Sequence, residues 1–270
     1  MGVLNITPDS FSDGGLWLDT QSAVEHGLEM LRIGADLLDL GAESTRPGGG
    51  TYGKGASMVD AQEELDRLLP VLEELRARTD APLSIDTRKG EVAQAALANG
   101  GDLINDISAL ADPELGKAVA AANCPLVLMH SRGELRSMQQ NIAFRDLLTE
   151  VHIELNAAAH RAEAAGVSRD QLIVDPGIGF GKTTVQNLLL LRNLDCFCDL
   201  DMPLLVGASR KNFIGEITAR APKDRLAGSL AAVAWAAHHQ AAIVRVHDVA
   251  ETSEFLETWQ AIDRATRAHP

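Results

Sequence analysis

Leu172-Ile173-Val174-Asp175-Pro176-Gly177-Ile178-Gly179-Phe180-Gly181-Lys182 is an apolar run that ends on a carboxylate and then breaks into glycines. The aliphatic residues read as the tail of a buried strand, and the Pro and Gly that follow read as its exit into a loop. Asp175 then stands at the end of a strand, with a glycine-rich backbone and the aromatic Phe180 just beyond it, an arrangement suited to cradling a flat ligand. Gly181-Lys182-Thr183 matches the end of a nucleotide-binding P-loop, but the first glycine of that motif falls on Pro176. A lone Asp-Pro-Gly reads equally well as a turn that Asp175 merely caps. The rest of the chain decides between these readings.

Outward from this stretch, short aliphatic runs alternate with helical patterns about eight times, the rhythm of an α/β chain folded as a (β/α)8 TIM barrel. The spacing predicts strands over Gly2–Leu4, Asp36–Leu40, Pro82–Ile85, Asp102–Ile104, Pro125–Met129, Leu172–Val174, Pro203–Val206 and Ala242–Val246. It predicts helices over Thr20–Ile33, Ser57–Arg78, Leu226–His238 and Thr252–Arg264, and further helices through Val92-Ala96 and Leu147-Val151-Leu155. Two long loops rich in Ser, Asp, Gly and Pro follow the first and second strands. No linker-like break divides the chain, so residues 1–270 read as one domain, and this length is typical of a single barrel.

Composition narrows the partners. A formal net charge of -14 argues against nucleic acid and anionic membrane surfaces, which need basic patches. With 46% hydrophobic and only 4% aromatic residues, the core is expected to be aliphatic. Cys124, Cys196 and Cys198 form no disulfide framework and lack histidines at zinc spacing, as suits thiols in a reducing cytoplasm. The N-terminus lacks the basic and apolar regions of a signal peptide, and no run approaches the roughly 18 apolar residues of a membrane span.

Asn5, Asp86, Asn105, His130, Asp175, Lys211 and His247 fall at or just beyond predicted strand ends. In a barrel these ends converge on one rim, where active sites sit. Asp86, Asn105 and Asp175 suit a flat heterocycle bearing an amino group and ring N–H donors. Arg46, Lys211, Arg245 and His247 suit a phosphate or diphosphate, and Arg245 and His247, two apart on one predicted strand, share a face as an anion clamp. Asn5 with Asp13 offers oxygen ligands for Mg2+ beside a diphosphate. Lys211 reads alternatively as a Schiff-base lysine of an aldolase, and His130 as a structural rim residue.

Met1-Gly2-Val3-Leu4-Asn5-Ile6-Thr7-Pro8-Asp9-Ser10-Phe11-Ser12-Asp13-Gly14-Gly15, Gly41-Ala42-Glu43-Ser44-Thr45-Arg46-Pro47-Gly48, Asp175 to Lys182, Ser209-Arg210-Lys211 and Arg245-Val246-His247-Asp248 together resemble the dihydropteroate synthase family, in the family's order and along the whole chain. The resemblance implies a cytoplasmic, homodimeric transferase of folate biosynthesis. It would join 6-hydroxymethyl-7,8-dihydropterin diphosphate to 4-aminobenzoate, require Mg2+ and be inhibited by sulfonamides. It implies that Asp86, Asn105, Asp175 and Lys211 hold the pterin, and that Asn5, Arg245 and His247 hold the diphosphate, with Asp13 near the metal. Phe11, Thr45, Arg46, Pro47, Phe180, Ser209 and Lys211 would form the aminobenzoate pocket. The sequence departs from the family where Ala109-Leu110 follow Ser108 in place of the usual glycine, and at Ser131-Arg132. Two other readings share the barrel: a pterin-binding methyltransferase, for which the diphosphate cations would have no purpose, and a non-catalytic paralogue.

Overall fold

The computed structural model describes residues 1–6, 20–43, 59–133, 137–140 and 142–265. In it β1 (Gly2–Asn5), β2 (Leu38–Gly41), β3 (Leu83–Asp86), β4 (Leu103–Asp106), β5 (Leu126–Met129) and β6 (Leu172–Asp175) form a continuous parallel sheet in chain order. β7 (Leu205–Val206) and β8 (Ile243–Val244) pair with each other. A parallel bridge from Val174 to Leu204 joins this pair to β6, and another from Gly2 to Val246 joins it to β1. Val3 N donates to Val246 O and Val246 N to Met1 O, each at 3.0 Å, so the eight strands close into a (β/α)8 barrel.

Alternation along each strand divides the core. Leu4, Leu38, Leu40, Leu83, Ile85, Ile104, Leu126, Leu128, Leu172 and Val174 face outward and pack with the helices in one large aliphatic cluster. Leu103, Val127 and Leu205, with Met1, fill the interior as a separate cluster, against which Leu37, Ile173 and Ile243 pack. Each fully buried leucine contributes about 1.5–3 kcal/mol relative to leaving it exposed, so the closed barrel rests on aliphatic burial rather than aromatic packing. The interior changes character toward the C-terminal ends, where Asp39, Ser84, Asp86, Asn105 and Asp175 are buried. Register sets the rim: Asn5 lies beside Gly41, Gly41 beside Asp86, and Asp86 beside Asn105.

The helices follow local signals. α1 spans Thr20–Arg32 and α2 Ala61–Arg78, the latter starting where the Asp60 carboxylate accepts from Glu63 N at 2.8 Å. Its expected start at Ser57 lies outside the described residues. α3 (Gly90–Ala98) is followed by α4 (Pro113–Ala122), which the sequence reading did not include; it buries Leu115, Gly116 and Val119, and Asp112 as N-cap and Pro113 at the first turn mark its start. α5 is Leu147–Ala164, capped by Asp146. α6 (Thr184–Arg192) begins with a capping box between Thr183 and Gln186 and also went unread, since apolar residues surround its axis. After β7 come the short α7 (Asn212–Thr218) and α8 (Leu226–His238), and α9 (Val249–Asp263) starts three residues earlier than expected. β7 and β8 are shorter than their apolar runs, although Pro203 O and Val246 N still make inter-strand hydrogen bonds beyond them.

The turn after β4 carries a local conflict. Ala109 (φ 53) and Leu110 (φ 63) both occupy the left-handed region that favours glycine. The buried Asp106 carboxylate holds them there, accepting from Ser108 N at 2.8 Å, Ser108 Oγ at 2.6 Å and Leu110 N at 2.5 Å. The left-handed conformation costs an alanine roughly 1–2 kcal/mol, more than glycine loses through its freer unfolded chain. Ala109→Gly is therefore expected to stabilise the protein by about 0.5–1 kcal/mol, read as a higher urea midpoint at unchanged m-value. Leu110→Gly should destabilise, because the Leu110 side chain is buried in the main cluster.

Candidate active site

At the C-terminal rim, the last residues of β3 and β6 are Asp86 and Asp175, both buried. Asp175 Oδ1 accepts from Gly177 N at 2.7 Å, folding the loop back over the strand end. Asp86 Oδ2 accepts from Arg245 Nη2 at 2.9 Å, while Asp86 Oδ1 is buried without a partner among the described residues. A buried carboxylate oxygen that lacks a donor favours a ligand that brings one. Asn105 donates from Nδ2 to Asp39 Oδ2 at 3.1 Å. Gly41 and Gly207 keep the rim open: a Cβ on Gly207 would sit 3.8 Å from both Asp175 Oδ2 and Arg245 Cβ, and one on Gly41 would sit 3.7 Å from Asp86 Oδ2.

Burial raises both carboxyl groups. Asp86 is pushed up to about 7 despite the opposing charge of Arg245, and Asp175 to about 6 despite the Gly177 hydrogen bond and Lys211. Because each folded value exceeds the unfolded one, the stability these groups contribute is present at acid pH and lost as pH rises through about 6–7. A ligand presenting N–H donors prefers the ionised acceptors, so affinity runs the other way. Binding of a 2-aminopterin is expected to strengthen between pH 5 and roughly 7.5 and to release protons over that range. Calorimetry in buffers of different ionisation enthalpy measures this; pH-independent affinity without proton release would contradict it.

The cations fall into two settings. Lys211 lies with Nζ 4.1 Å over the Phe180 ring, and burial together with Arg245 lowers it to about 8, so it remains mostly charged at neutrality. Arg245, just beyond β8, donates from Nε to Asp39 Oδ2 at 2.6 Å and from Nη2 to Asp86. Burial opposes its charge, but Asp39 and Asp86 outweigh that and hold it protonated. Two guanidinium nitrogens of Arg245, Nε and Nη2, are thereby engaged by barrel carboxylates, next to His247 of the expected anion clamp. His247 is a neutral imidazole, pushed down to about 3 by burial and by neighbouring Arg245, with Nδ1 3.1 Å from Ser209 Oγ. In this state it offers a hydrogen bond to a phosphate, not a charge.

Residues the strand-end reading passed over complete the site. Asp39, inside β2 and fully buried, accepts from Ser84 Oγ at 2.6 Å as well as from Asn105 and Arg245. Its signal is a carboxylate interrupting an otherwise aliphatic strand. Arg210 pairs with Asp248, and Ser209 Oγ accepts from His247 N at 3.2 Å, so the loops after β7 and β8 are tied twice. Buried Arg225 donates to Arg210 O at 3.0 Å and Lys211 O at 3.3 Å. At the end of β2, Glu43 accepts from Val59 N at 3.2 Å and from Arg88 and Lys89, joining the two sides of segment 44–58. His130 has no opening to the rim: it is buried between Glu154 and Lys182. Ile107, Met129, Met138 and Phe180 form an apolar patch beside the polar row. Asn5 stands at the end of β1, half-buried. Phe11, Asp13, Thr45, Arg46 and Pro47 lie outside the described residues.

A cavity of about 490 Å³ at the opposite end of the barrel, lined among others by Met1, Leu37, Ile243 and Trp259, has no Asn, Lys, Arg or His in its wall. Among the described residues, the convergent carboxylates, amide and cations belong to the rim. Fold and rim define a (β/α)8-barrel enzyme with a pocket for a flat, N–H-rich heterocycle. Comparison with known proteins agrees: the family described as pterin binding enzyme matches residues 1–247. The dihydropteroate synthase of Escherichia coli K12 is 42% identical over 261 residues, covering 97% of this chain and 90% of the relative; that of Synechocystis is 43% identical over 266 residues, covering 98% and 90%. The structure of the Yersinia pestis dihydropteroate synthase with a sulfonamide drug superposes with a TM-score of 0.92 at 42% identity, covering 98% of this chain and 94% of that one. The Xanthomonas albilineans enzyme in complex with 7,8-dihydropteroate gives 0.86 at 44%, with the same coverage. The chain belongs to the dihydropteroate synthase branch of the pterin-binding enzyme family.

Proposed function

We propose that this barrel, acting as one domain over residues 1–270, condenses 6-hydroxymethyl-7,8-dihydropterin diphosphate with 4-aminobenzoate to give 7,8-dihydropteroate and diphosphate. The observation that carries this reading is the buried row of Asp86, Asn105 and Asp175, with Asp86 Oδ1 lacking a donor among the described residues. The aniline nitrogen is unprotonated at neutral pH, so its lone pair attacks the pterin methylene carbon without a general base. The C–N bond forms as the C–O bond to diphosphate breaks, and the excess aniline proton leaves to solvent or to the diphosphate. Asp86 and Asp175 stabilise positive charge on the pterin as the leaving group departs; Lys211 and Arg245 supply the opposite potential toward the diphosphate. Asn5 and a neutral His247 N–H suit hydrogen bonds to its oxygens. Phe180, Ser209 and Lys211, with Phe11, Thr45, Arg46 and Pro47, would enclose the aminobenzoate.

Asn5 offers a hard amide oxygen at the rim, and with Asp13 it fits the small protein share of a Mg2+ shell, the remainder coming from phosphate oxygens and water. When bound, Mg2+ would neutralise part of the charge developing on diphosphate. Sulfonamides, as aniline-bearing analogues, would occupy the aminobenzoate pocket, and the sulfonamide complex of the Yersinia pestis enzyme supports this. A homodimer is favoured by Val185, Leu188, Leu189, Ile217 and Trp235, large apolar residues exposed on α6, α7 and α8. Among the described residues no helix is long and apolar enough to cross a membrane, and a cytoplasmic location fits a biosynthetic enzyme of this family. The test is diphosphate release from the dihydropterin diphosphate with Mg2+, with and without 4-aminobenzoate. Release that depends on 4-aminobenzoate and is matched by dihydropteroate is expected; pterin binding without either product would favour a non-catalytic or methyl-transferring relative.

A further inference from the structure

Lys182, read from sequence as the lysine of a failed P-loop, is buried below the loop that follows β6. Its ammonium lies 3.0 Å from Gly177 O, 2.9 Å from Phe180 O and 2.9 Å from His130 Nδ1, with His130 O farther at 3.4 Å. Three short contacts consume the three protons of an ammonium. His130 Nδ1 then accepts, so the ring proton sits on Nε2 and points at Glu154 Oε2, 3.0 Å away. Glu154 is in turn held by Arg132, which also pairs with Glu150 at 2.6 Å and stacks 4.1 Å over Phe144. Ser131-Arg132 thereby acquires a place: a continuous polar chain runs from α5 through His130 and Lys182 to the backbone of the β6 loop.

That loop has no slack. Gly177 (φ 69), Gly179 (φ 85) and Gly181 (φ 62) are all left-handed. A Cβ on Gly177 would fall 1.8 Å from His130 O, and one on Gly181 would fall 2.9 Å from Arg132 O. The loop carries Phe180, whose ring underlies Lys211 Nζ, and a Cβ on Gly179 would press to 3.0 Å from Lys211 Cδ. Asp175 is fixed by its place at the end of β6 as well as by Gly177 N, so only part of its support passes through the Gly177 peptide that Lys182 holds.

Resting on the reading above, we infer that Lys182 is a positioning residue for the aminobenzoate half of the site: through the Gly177 and Phe180 carbonyls it sets the Phe180 ring against Lys211, with His130 and Glu154 as its support. The groups acting on Lys182 are Asp175 and Glu154, which favour its charge, and Lys211 and Arg132, which oppose it, together with contacting His130. Burial lowers Lys182 to about 7. A neutral amine has only two protons; to keep the third contact it must accept from His130 Nδ1, and a neutral His130 then loses the Nε2 proton that it gives Glu154.

The test uses the full-length enzyme at saturating dihydropterin diphosphate. Lys182→Met, which keeps length but cannot donate, is expected to raise KM for 4-aminobenzoate about tenfold while leaving affinity for the pterin within about twofold. Lys182→Arg should restore part of the loss. In the wild type, KM for 4-aminobenzoate should rise above pH 7 or so, before the Lys211 titration near 8. Glu154→Gln should move only the first break to lower pH. If Lys182→Met does not fold, the wild-type and Glu154→Gln profiles decide alone. An unchanged aminobenzoate KM in Lys182→Met, equal loss of both substrates, or an unmoved break in Glu154→Gln would overturn the inference. Failure of the wild type to form dihydropteroate at all would instead overturn the functional reading.

Discussion

Asp175→Asn is expected to weaken dihydropterin diphosphate binding about 100-fold, with little loss of fold stability. Asparagine preserves an oxygen for Gly177 N, which donates to Asp175 Oδ1 at 2.7 Å, so the loop after β6 keeps its closure. The second oxygen becomes an NH2 that faces the ligand's own N–H donors. Losing a charge-assisted acceptor in a buried site costs about 2–3 kcal/mol, and opposing two donors adds to it. Arg46→Ala provides the contrast: the place proposed for it in the aminobenzoate pocket predicts slower turnover with pterin affinity largely retained. Isothermal titration with the pterin diphosphate, beside steady-state kinetics, separates the two. Comparable losses of pterin affinity in both variants would sink the division of the site into a pterin half and an aminobenzoate half.

The largest effect on stability is expected at Asp39. Its carboxylate receives Ser84 Oγ, Asn105 Nδ2 and Arg245 Nε inside the barrel, and it is fully buried. Asp39→Ala would leave three donors unmatched and Arg245 with Asp86 as its single remaining carboxylate. Removing one partner of a buried ion pair typically costs about 3–5 kcal/mol, a large share of the stability of an ordinary domain. Asp39→Asn should recover part of this by keeping an oxygen for Ser84, while still freeing Arg245 to swing from Asp86. Urea unfolding measures the first effect. A weakened pterin complex in Asp39→Asn, at stability near that of wild type, would mark the second. A loss below about 1 kcal/mol for Asp39→Ala would mean that water or Asp86 replaces the missing carboxylate.

The fold, and the placement of Asp86, Asn105 and Asp175 at one rim, were legible in the chain itself. Aliphatic runs of three to five residues separated by helical patterns mark parallel strands buried on both faces, and eight such pairs in a chain of this length suit a closed barrel. Asp86, Asn105 and Asp175 could be assigned to one rim because parallel strands all point the same way. Three helices escaped: α4, marked by its Asp112 cap, α6, whose apolar residues surround its axis, and α7, which spans only Asn212–Thr218 and has no side-chain cap.

Partnership was what the chain alone did not determine. Arg245 reads in sequence as a free cation two residues from His247, and both suit a diphosphate. The closed barrel instead brings Arg245 within 2.6 Å of Asp39, a residue 206 positions away, and strips His247 of its charge by burial. Lys182 likewise has only a failed P-loop match in sequence; the folded loop surrounds it with two carbonyls and an imidazole. Backbone periodicity and turn chemistry are local, so sequence carries them directly. The charge state and direction of a buried side chain depend on groups delivered by other strands, and only tertiary structure decides which ones arrive.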